Sequence, residues 1–156
     1  EFSDFQCPAC GAAQPTVDQV LKTYGDKIAF SYRHFPLLSI HANAFASALA
    51  SECANDQGKF WEYHDLLFKN QKDLRQATLL RLADETGLNK DSFTACLKSR
   101  AKASVVQADM QEGERRNVNS TPSFYLNGKV VENWQALSGL IGAEVGKLGT
   151  TTPVKE

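Results

Sequence analysis

The chain has 156 residues, a formal net charge of −1 at pH 7, and 42% hydrophobic against 22% charged residues. These values are typical of one soluble globular domain, or of one domain carrying a large insert, with enough chain to bury a sizeable core. The balanced charge argues against nucleic acid or an anionic membrane as the main partner, and no apolar run approaches the ~20 residues of a membrane span.

The first forty residues carry strand and helix signals in turn. Residues 1–5 predict a short strand rich in Phe, and Pro8 suits the first turn of the helix that follows. Apolar residues recur at helical spacing up to Tyr24, and Gly25 supplies a stop. The alternation of apolar and polar residues over 28–33 predicts a second strand. Since a helix joins them, the two strands should be parallel with a right-handed crossover.

Residues 40–116 predict helices only. Gly58 and Gly87 are the expected stops between successive helices. Apolar stripes at helical spacing indicate five helices, near residues 42–53, 60–68, 79–83, 93–97 and 105–116.

Strand character returns near the end of the chain. Residues 122–126 and 129–132 flank Asn127-Gly128, the strongest short hairpin signal, and a last helix is predicted from about residue 134 to 147. Adding the hairpin to the first two strands predicts an α/β fold with a four-stranded mixed sheet and an inserted all-helical subdomain. The predicted sheet domain covers 1–39 and 117–148, the helical insert covers 40–116, and 149–156 form a flexible tail.

The four cysteines are of two kinds. Cys7 and Cys10 form a Cys-x-x-Cys motif, whereas Cys53 and Cys96 are isolated and distant. Disulfide exchange needs a thiolate that water can reach and a second thiol close enough to resolve the mixed disulfide. At a helix start the first sulfur lies near unpaired backbone N–H groups, which favour its thiolate. We therefore predict Cys7 as the nucleophile and Cys10 as the resolving thiol.

The Cys7/Cys10 pair has two interpretations other than disulfide exchange. Half of a zinc site would need a second ligand pair, and neither Cys53 nor Cys96 has a Cys or His partner at ligand spacing. A purely structural disulfide would be an unusual staple at a strand-to-helix corner. The pattern thus predicts a redox pair without a metal or a cofactor.

Three stretches, residues 2–10, 57–64 and 121–128, resemble DsbA-like proteins of the thioredoxin superfamily. The first, Phe-Ser-Asp-Phe-Gln-Cys-Pro-Ala-Cys, is similar to their active-site segment. The resemblance covers essentially the whole chain, including the helical insert. It implies a thioredoxin fold, protein thiol–disulfide oxidoreductase activity, unfolded or reduced proteins as substrates, and a membrane quinone-linked enzyme as the reoxidase.

The resemblance also implies the substrate-facing residues. Thr121-Pro122 would be a cis-proline loop facing Cys7, where its backbone pairs with an extended substrate; the alternative is an ordinary proline leading a strand. Pro8 and Ala9 would contact the same substrate. Ala9 stands where the best-known DsbA type has a histidine, so we expect a Cys7 pKa below that of a free thiol but above ~3.5.

A buried acid commonly precedes the active site in this family, and Glu1 occupies its position. A carboxyl group buried near Cys10 could accept the proton of that thiol while it attacks the mixed disulfide. The alternative for Glu1 is a residue at the surface. For Cys53 and Cys96, a structural disulfide within the insert is favoured, since an oxidising compartment is expected; the alternative is two buried free thiols.

The leading hypothesis is a dithiol oxidase in the periplasm or another extracytoplasmic compartment. The first residues show no signal peptide, so a signal or anchor segment would be absent from this chain. A reductase or isomerase would use the same residues. A different class of function is a redox-inactive binding module, either a thioredoxin-fold chaperone or a regulatory domain detached from a transporter.

Overall fold

The structure, a computed structural model, describes residues 1–148; the predicted tail at 149–156 lies outside the described residues. This part of the chain contains four short strands and seven α-helices, with one 3₁₀ turn at Trp134–Ala136. The strands and helices are β1 (Phe2–Ser3), α1 (Pro8–Tyr24), β2 (Arg33–His34), α2 (Ala44–Asn55), α3 (Phe60–Lys69), α4 (Gln76–Glu85), α5 (Lys90–Ser99), α6 (Ala103–Arg115), β3 (Phe124–Leu126), β4 (Lys129–Val131) and α7 (Leu137–Leu148). Within residues 1–148, none of the helices has the length and apolar character needed to cross a bilayer.

The strands form two separate ladders. β1 lies parallel to β2, with Phe2 opposite Arg33, and β3 lies antiparallel to β4. One antiparallel bridge between Phe2 and Ser123 joins the ladders. It consists of two backbone hydrogen bonds with N···O distances of 2.8 and 3.0 Å. The parallel pairing of β1 with β2 and the β3–β4 hairpin agree with the prediction, but the four-stranded mixed sheet is not confirmed, since each ladder has two strands.

The second strand is much shorter than predicted. Alternation favoured residues 28–33, yet only Arg33–His34 pair as a strand. A strand needs a hydrogen-bonded neighbour, and β1 pairs only with Arg33 and His34; beyond this pairing, the Glu1 backbone nitrogen donates to the carbonyl oxygen of Ser31 at 2.8 Å. The alternation of apolar and polar residues predicts which face of a segment is buried. It does not indicate whether a neighbouring strand is there to form hydrogen bonds with that segment.

The helical block follows the predicted pattern. Every regular element between residues 44 and 115 is an α-helix, and these helices are α2 to α6. Gly58 and Gly87 follow α2 and α4 with φ values of 70° and 74°, a region that glycine adopts without steric cost. At the hairpin, Asn127 and Gly128 have φ values of 49° and 79°, as a type I′ turn requires.

Two main groups of buried side chains fill the interior. The first lies among α2, α3, α4 and α5 and includes Phe5, two residues after the end of β1. The second lies between α1, β3 and α7 and includes Val17, Phe124 and Ile141. Because Phe5 packs into the core of the helical block, the active-site segment and the predicted insert share one interior. The domain boundaries at 39 and 117 stay a prediction.

Charged and covalent links tie the helical block together and to β2. Asp109 on α6 accepts hydrogen bonds from the Arg33 guanidinium at 2.8 Å and from the His34 backbone N–H at 3.0 Å. Cys53 on α2 and Cys96 on α5 are joined by a disulfide with a Cα–Cα distance of 5.9 Å, within the usual range for such bridges.

Candidate active site

Cys7 occupies the N-cap position of α1. Its backbone is extended, with φ −76° and ψ 119°, and Pro8 provides the first helical residue. Pro8 has no N–H to satisfy and its ring presets the helical φ, so the helix can begin immediately after the cysteine. No side chain caps this end of the helix. The backbone N–H groups of Ala9 and Cys10 therefore face the Cys7 sulfur.

These donors stabilise the Cys7 thiolate. A hydrogen bond from the Cys10 thiol, the Thr121 side chain and the two backbone N–H groups together lower the pKa of Cys7 to about 5, although burial opposes them. Cys7 is only 6% exposed, whereas Pro8 and Ala9, which follow it, are exposed.

Cys10 lies in the opposite environment. It is completely buried, and burial together with the adjacent Cys7 raises the pKa of its thiol far above the ordinary value, against the smaller opposing effect of the Ser3 and Thr121 side chains. One cysteine of the pair is therefore held as a thiolate and the other as a thiol.

Thr121 and Pro122 lie across from the Cys7 sulfur. Their peptide bond is cis, and the Thr121 carbonyl oxygen lies 3.3 Å from Cys7 Sγ, where it accepts a hydrogen bond from the thiol when Cys7 is protonated. The adjacent Ser123 pairs with Phe2 through the bridge that joins the two ladders. This pairing places the proline loop beside the start of α1.

Glu1 lies at the base of the site. Both of its carboxyl oxygens are buried without a hydrogen-bond partner, although the residue as a whole is half-buried. Burial raises the pKa of this carboxyl, against the charge of its own amino group and the Ser3 hydroxyl. No hydrogen bond joins Glu1 to Cys10 within the described residues, and the Ser3 and Tyr32 hydroxyls are likewise buried without a partner.

Asp4 was missed by the sequence reasoning, although it organises the loop before α1. Its buried carboxylate accepts hydrogen bonds from the backbone N–H groups of Gln6 at 2.7 Å and Leu37 at 2.8 Å, and pairs with His41 Nδ1 at 2.7 Å. Its carbonyl oxygen accepts the N–H of Cys7 at 3.0 Å. A single aspartate three residues before Cys7 gives only a weak turn signal, and the Cys-x-x-Cys motif is a much stronger one.

Gln71, just beyond α3, is the second missed residue. Its side-chain Nε2 donates to the carbonyl oxygens of Phe5 at 2.9 Å and Cys7 at 2.6 Å, so the helical block holds the active-site backbone directly. Gly11 leaves room for this approach, since a Cβ there would lie 2.6 Å from Gln71 Oε1. Nothing in the sequence indicates that Gln71 contacts Phe5 and Cys7, which precede it by 66 and 64 residues.

A family described as thioredoxin matches residues 1–143. The chain belongs to the thioredoxin family. BdbD from Bacillus subtilis superimposes with a TM-score of 0.79 at 28% identity, covering 94% of this chain and 84% of that one. MdbA, a thiol-disulfide oxidoreductase from Corynebacterium diphtheriae, shares the fold with a TM-score of 0.74 at 20% identity, over 89% and 79% of the two chains. The predicted resemblance to DsbA-like thiol–disulfide oxidoreductases is confirmed.

Other relatives of this thioredoxin-family chain are transporters. The Na(+)/H(+) antiporter NhaA 3 of Salinispora tropica is 40% identical over 129 residues, which is 83% of this chain and 20% of that protein. The Na(+)/H(+) antiporter NhaA 1 of Mycobacterium sp. strain KMS is 37% identical over 150 residues, covering 94% and 24%. The chain thus spans about a fifth to a quarter of the curated relatives that it matches.

The arrangement of this site is suited to two-electron exchange between sulfurs. A stabilised thiolate at a helix start, a shielded thiol one turn further on, and a backbone carbonyl across the cleft are the parts that disulfide exchange uses. Among residues 1–148, no three His, Cys, Asp or Glu side chains form a group that could hold a metal ion.

Proposed function

We propose that this chain is an extracytoplasmic dithiol oxidase that donates a Cys7–Cys10 disulfide to folding proteins. The observation that carries the proposal is the opposite perturbation of the two thiols, since the pKa of Cys7 is lowered to about 5 and that of Cys10 is raised. A stable Cys7 thiolate favours the reduced protein and therefore makes the disulfide more oxidising.

The exchange takes place in two displacements. A substrate thiolate attacks Cys7 Sγ, the Cys7–Cys10 bond breaks, and Cys10 leaves with the electron pair and takes up a proton. A second substrate thiolate then attacks the substrate sulfur of the mixed disulfide, and Cys7 leaves as its stabilised thiolate. Two electrons pass from the substrate dithiol to the protein, and a membrane quinone-linked enzyme would later remove them.

Substrate would bind along the cis-proline loop. The Thr121 carbonyl oxygen lies 3.3 Å from Cys7 Sγ, and the exposed Pro8 and Ala9 would contact the same substrate. Leu38 and Ile40 are 56% and 69% exposed on the loop that Asp4 anchors through Leu37. Such exposed apolar side chains suit reduced, unfolded chains.

The redox potential tests the direction of the reaction. Equilibration with glutathione should give a Cys7–Cys10 potential between roughly −270 mV, the value of thioredoxin, and roughly −120 mV, the value of DsbA. A potential below that of thioredoxin would instead support a reductase. In the matched controls, Cys7→Ser should abolish oxidation of a reduced unfolded protein, and Cys10→Ser should accumulate mixed disulfides with it.

The antiporter relatives favour a second candidate, a thioredoxin-fold module that regulates a transporter to which it is joined. In this case redox chemistry is dispensable for the role of the chain, as it is for a chaperone. The two candidates differ in one measurement. If the oxidised wild-type protein and Cys7→Ser are equally inactive towards a reduced unfolded protein, the module is supported and the oxidase is excluded.

A further inference from the structure

A groove of about 400 Å³ lies on the helical block, between α2, α4 and α5. Most of its lining is apolar, and the larger of these side chains are Phe45, Leu49, Leu79 and Leu97. Leu49 and Leu79 are buried, whereas Phe45 and Leu97 are only half-buried and leave apolar surface in the groove. We call this feature the α2–α5 groove.

The α2–α5 groove begins next to the active-site segment. Asn43, which also lines it, donates its backbone N–H to Gln6 Oε1 at 2.8 Å, and Gln6 directly precedes Cys7. Phe45 follows Asn43 by two residues, in the first turn of α2. An extended chain advances about 3.3–3.6 Å per residue, so a few residues beside a substrate cysteine at Cys7 are enough to enter the groove.

Arg100 gives the groove its charge. The Arg100 Cζ lies 5.1 Å from the centre of the Phe45 ring, and within residues 1–148 its guanidinium forms no ion pair and no side-chain hydrogen bond. Every other arginine of the chain pairs with a carboxylate; these are Arg33, Arg75, Arg81, Arg115 and Arg116. None of the residues that line the groove, all between positions 42 and 100, is Asp or Glu.

The end of α5 does not itself require an arginine at this position. Arg100 has a φ of 54°, in the left-handed region that costs a residue with a Cβ more than it costs glycine. Gly58 and Gly87 have this conformation after α2 and α4. An arginine without a partner at a position that favours glycine indicates that the side chain, and not the helix end, has a use.

The two walls of the groove are held at a fixed spacing. The disulfide between Cys53 on α2 and Cys96 on α5 joins them with a Cα–Cα distance of 5.9 Å. Leu49 lies one helical turn before Cys53, and Arg100 lies one turn after Cys96. A groove that exists before a ligand arrives costs less ordering on binding than one that the ligand must open.

We propose that the α2–α5 groove binds an extended segment of the reduced substrate in which an apolar side chain lies next to an acidic one. The apolar side chain packs on Phe45 and Leu97, and the carboxylate pairs with Arg100, which can donate two parallel hydrogen bonds to it. This inference rests on the proposed function, since it names the substrate class that Cys7 oxidises. The apolar lining would accept any unfolded chain, so the preference for an acid comes from Arg100.

Reduction of the Cys7–Cys10 disulfide by peptides tests the proposal. Otherwise identical peptides carry one cysteine and, a few residues away, Leu-Glu, Leu-Gln or Leu-Lys; a second set has the pair on the other side of the cysteine. Oxidised protein is mixed with excess peptide, quenched with acid and analysed by mass, and each rate is divided by that of the same peptide with oxidised glutathione. In one of the sets Leu-Glu should react about 3-fold faster than Leu-Gln or more, and the advantage should shrink in about 0.5 M salt.

Variants at Arg100 assign the preference to this side chain. Arg100→Gln should make the Leu-Glu and Leu-Gln rates equal, and Arg100→Glu should make Leu-Lys the fastest peptide. The matched control is Lys98→Gln, which removes an exposed cation of the same helix that does not line the groove and should keep the wild-type preference. Equal rates in the wild type, or a preference that persists in Arg100→Gln, would overturn the proposal.

Two further outcomes are distinct from these. If none of the peptides reduced the Cys7–Cys10 disulfide, the proposed function itself would fail, whereas equal rates with all of them remove only the role of the groove. Sedimentation at increasing protein concentration should show no dimer that depends on Arg100. A dimer that Arg100→Glu dissociates would assign the groove to a second copy of the chain and overturn the proposal.

Discussion

The two cysteine pairs of this chain are made of the same residue type and have contrasting surroundings. Cys7 and Cys10 lie two residues apart at the start of α1, where unpaired N–H groups meet one sulfur and apolar packing surrounds the other. Cys53 and Cys96 lie 43 residues apart on α2 and α5, inside the core of the helical block, and are joined in a disulfide. Hydrogen-bond donors reach the first pair, whereas side-chain packing surrounds the second.

The difference shows that position relative to a helix end determines the chemistry of a cysteine here. A thiol at the N-cap gains donors that no side chain has claimed, and its thiolate becomes the stable form. A thiol in the middle of a helix has its neighbouring N–H groups already bonded, so it can contribute only packing or a cross-link. The following predictions test this contrast.

The largest expected difference is in reactivity. With reduced protein at pH 7, iodoacetamide should modify Cys7 more than 10³-fold faster than Cys10, because Cys7 is almost entirely thiolate and the pKa of Cys10 is raised. Cys53 and Cys96 should stay unmodified until the protein is denatured with reductant. Peptide mapping by mass spectrometry gives all four rates, and a faster Cys10 would contradict the assigned roles.

The second prediction concerns stability. Cys53→Ala with Cys96→Ala should lower the free energy of unfolding by about 4 kcal/mol, the chain-entropy value for a loop of this length. The alkylation rate of Cys7 should stay within about 2-fold of wild type, since the pairs are separate. Urea denaturation checks the first value. A loss of Cys7 reactivity in the folded variant would show that the bridge also shapes the active site.

The third and smallest effect depends on pH and on the active-site pair alone. The pKa of Cys7 is lowered on folding, so its contribution is fully present above the unfolded thiol pKa and is lost as the pH falls through about 5. The stability of the reduced protein, relative to the oxidised one, should therefore rise by about 2 kcal/mol between pH 5 and pH 7. Cys7→Ala provides the control, and denaturation of both redox forms gives the values. An unchanged difference would show that the thiolate is not stabilised by folding.

The helices and the hairpin could be predicted because their signals are local. Apolar spacing, glycine stops and Asn127-Gly128 act within a few residues, and the structure has α2 to α7 and the β3–β4 turn where these signals place them. The sheet could be predicted only in outline. Strand length depends on the partner strand, and alternation over 28–33 contains no information about where pairing stops.

The residues of the candidate site divide in the same way, into those with a local sequence signal and those whose role depends on distant parts of the chain. The helix-start geometry of Cys7 follows from the residues, whereas the expectation of a cis peptide at Thr121-Pro122 came from the resemblance, because most X–Pro bonds are trans. Asp4 gives only a weak turn signal, and Gln71 gives none. Each is a single polar residue whose role appears only when distant parts of the chain meet, as Gln71 does with the Cys7 carbonyl.

The contact between Gln71 and Gly11 constrains both positions together. A Cβ at position 11 would lie 2.6 Å from Gln71 Oε1, so a larger residue there would displace the amide that holds the Phe5 and Cys7 carbonyls. A graft of this helical block onto another thioredoxin scaffold would therefore keep these hydrogen bonds only if it carried both residues, although they lie far apart along the chain.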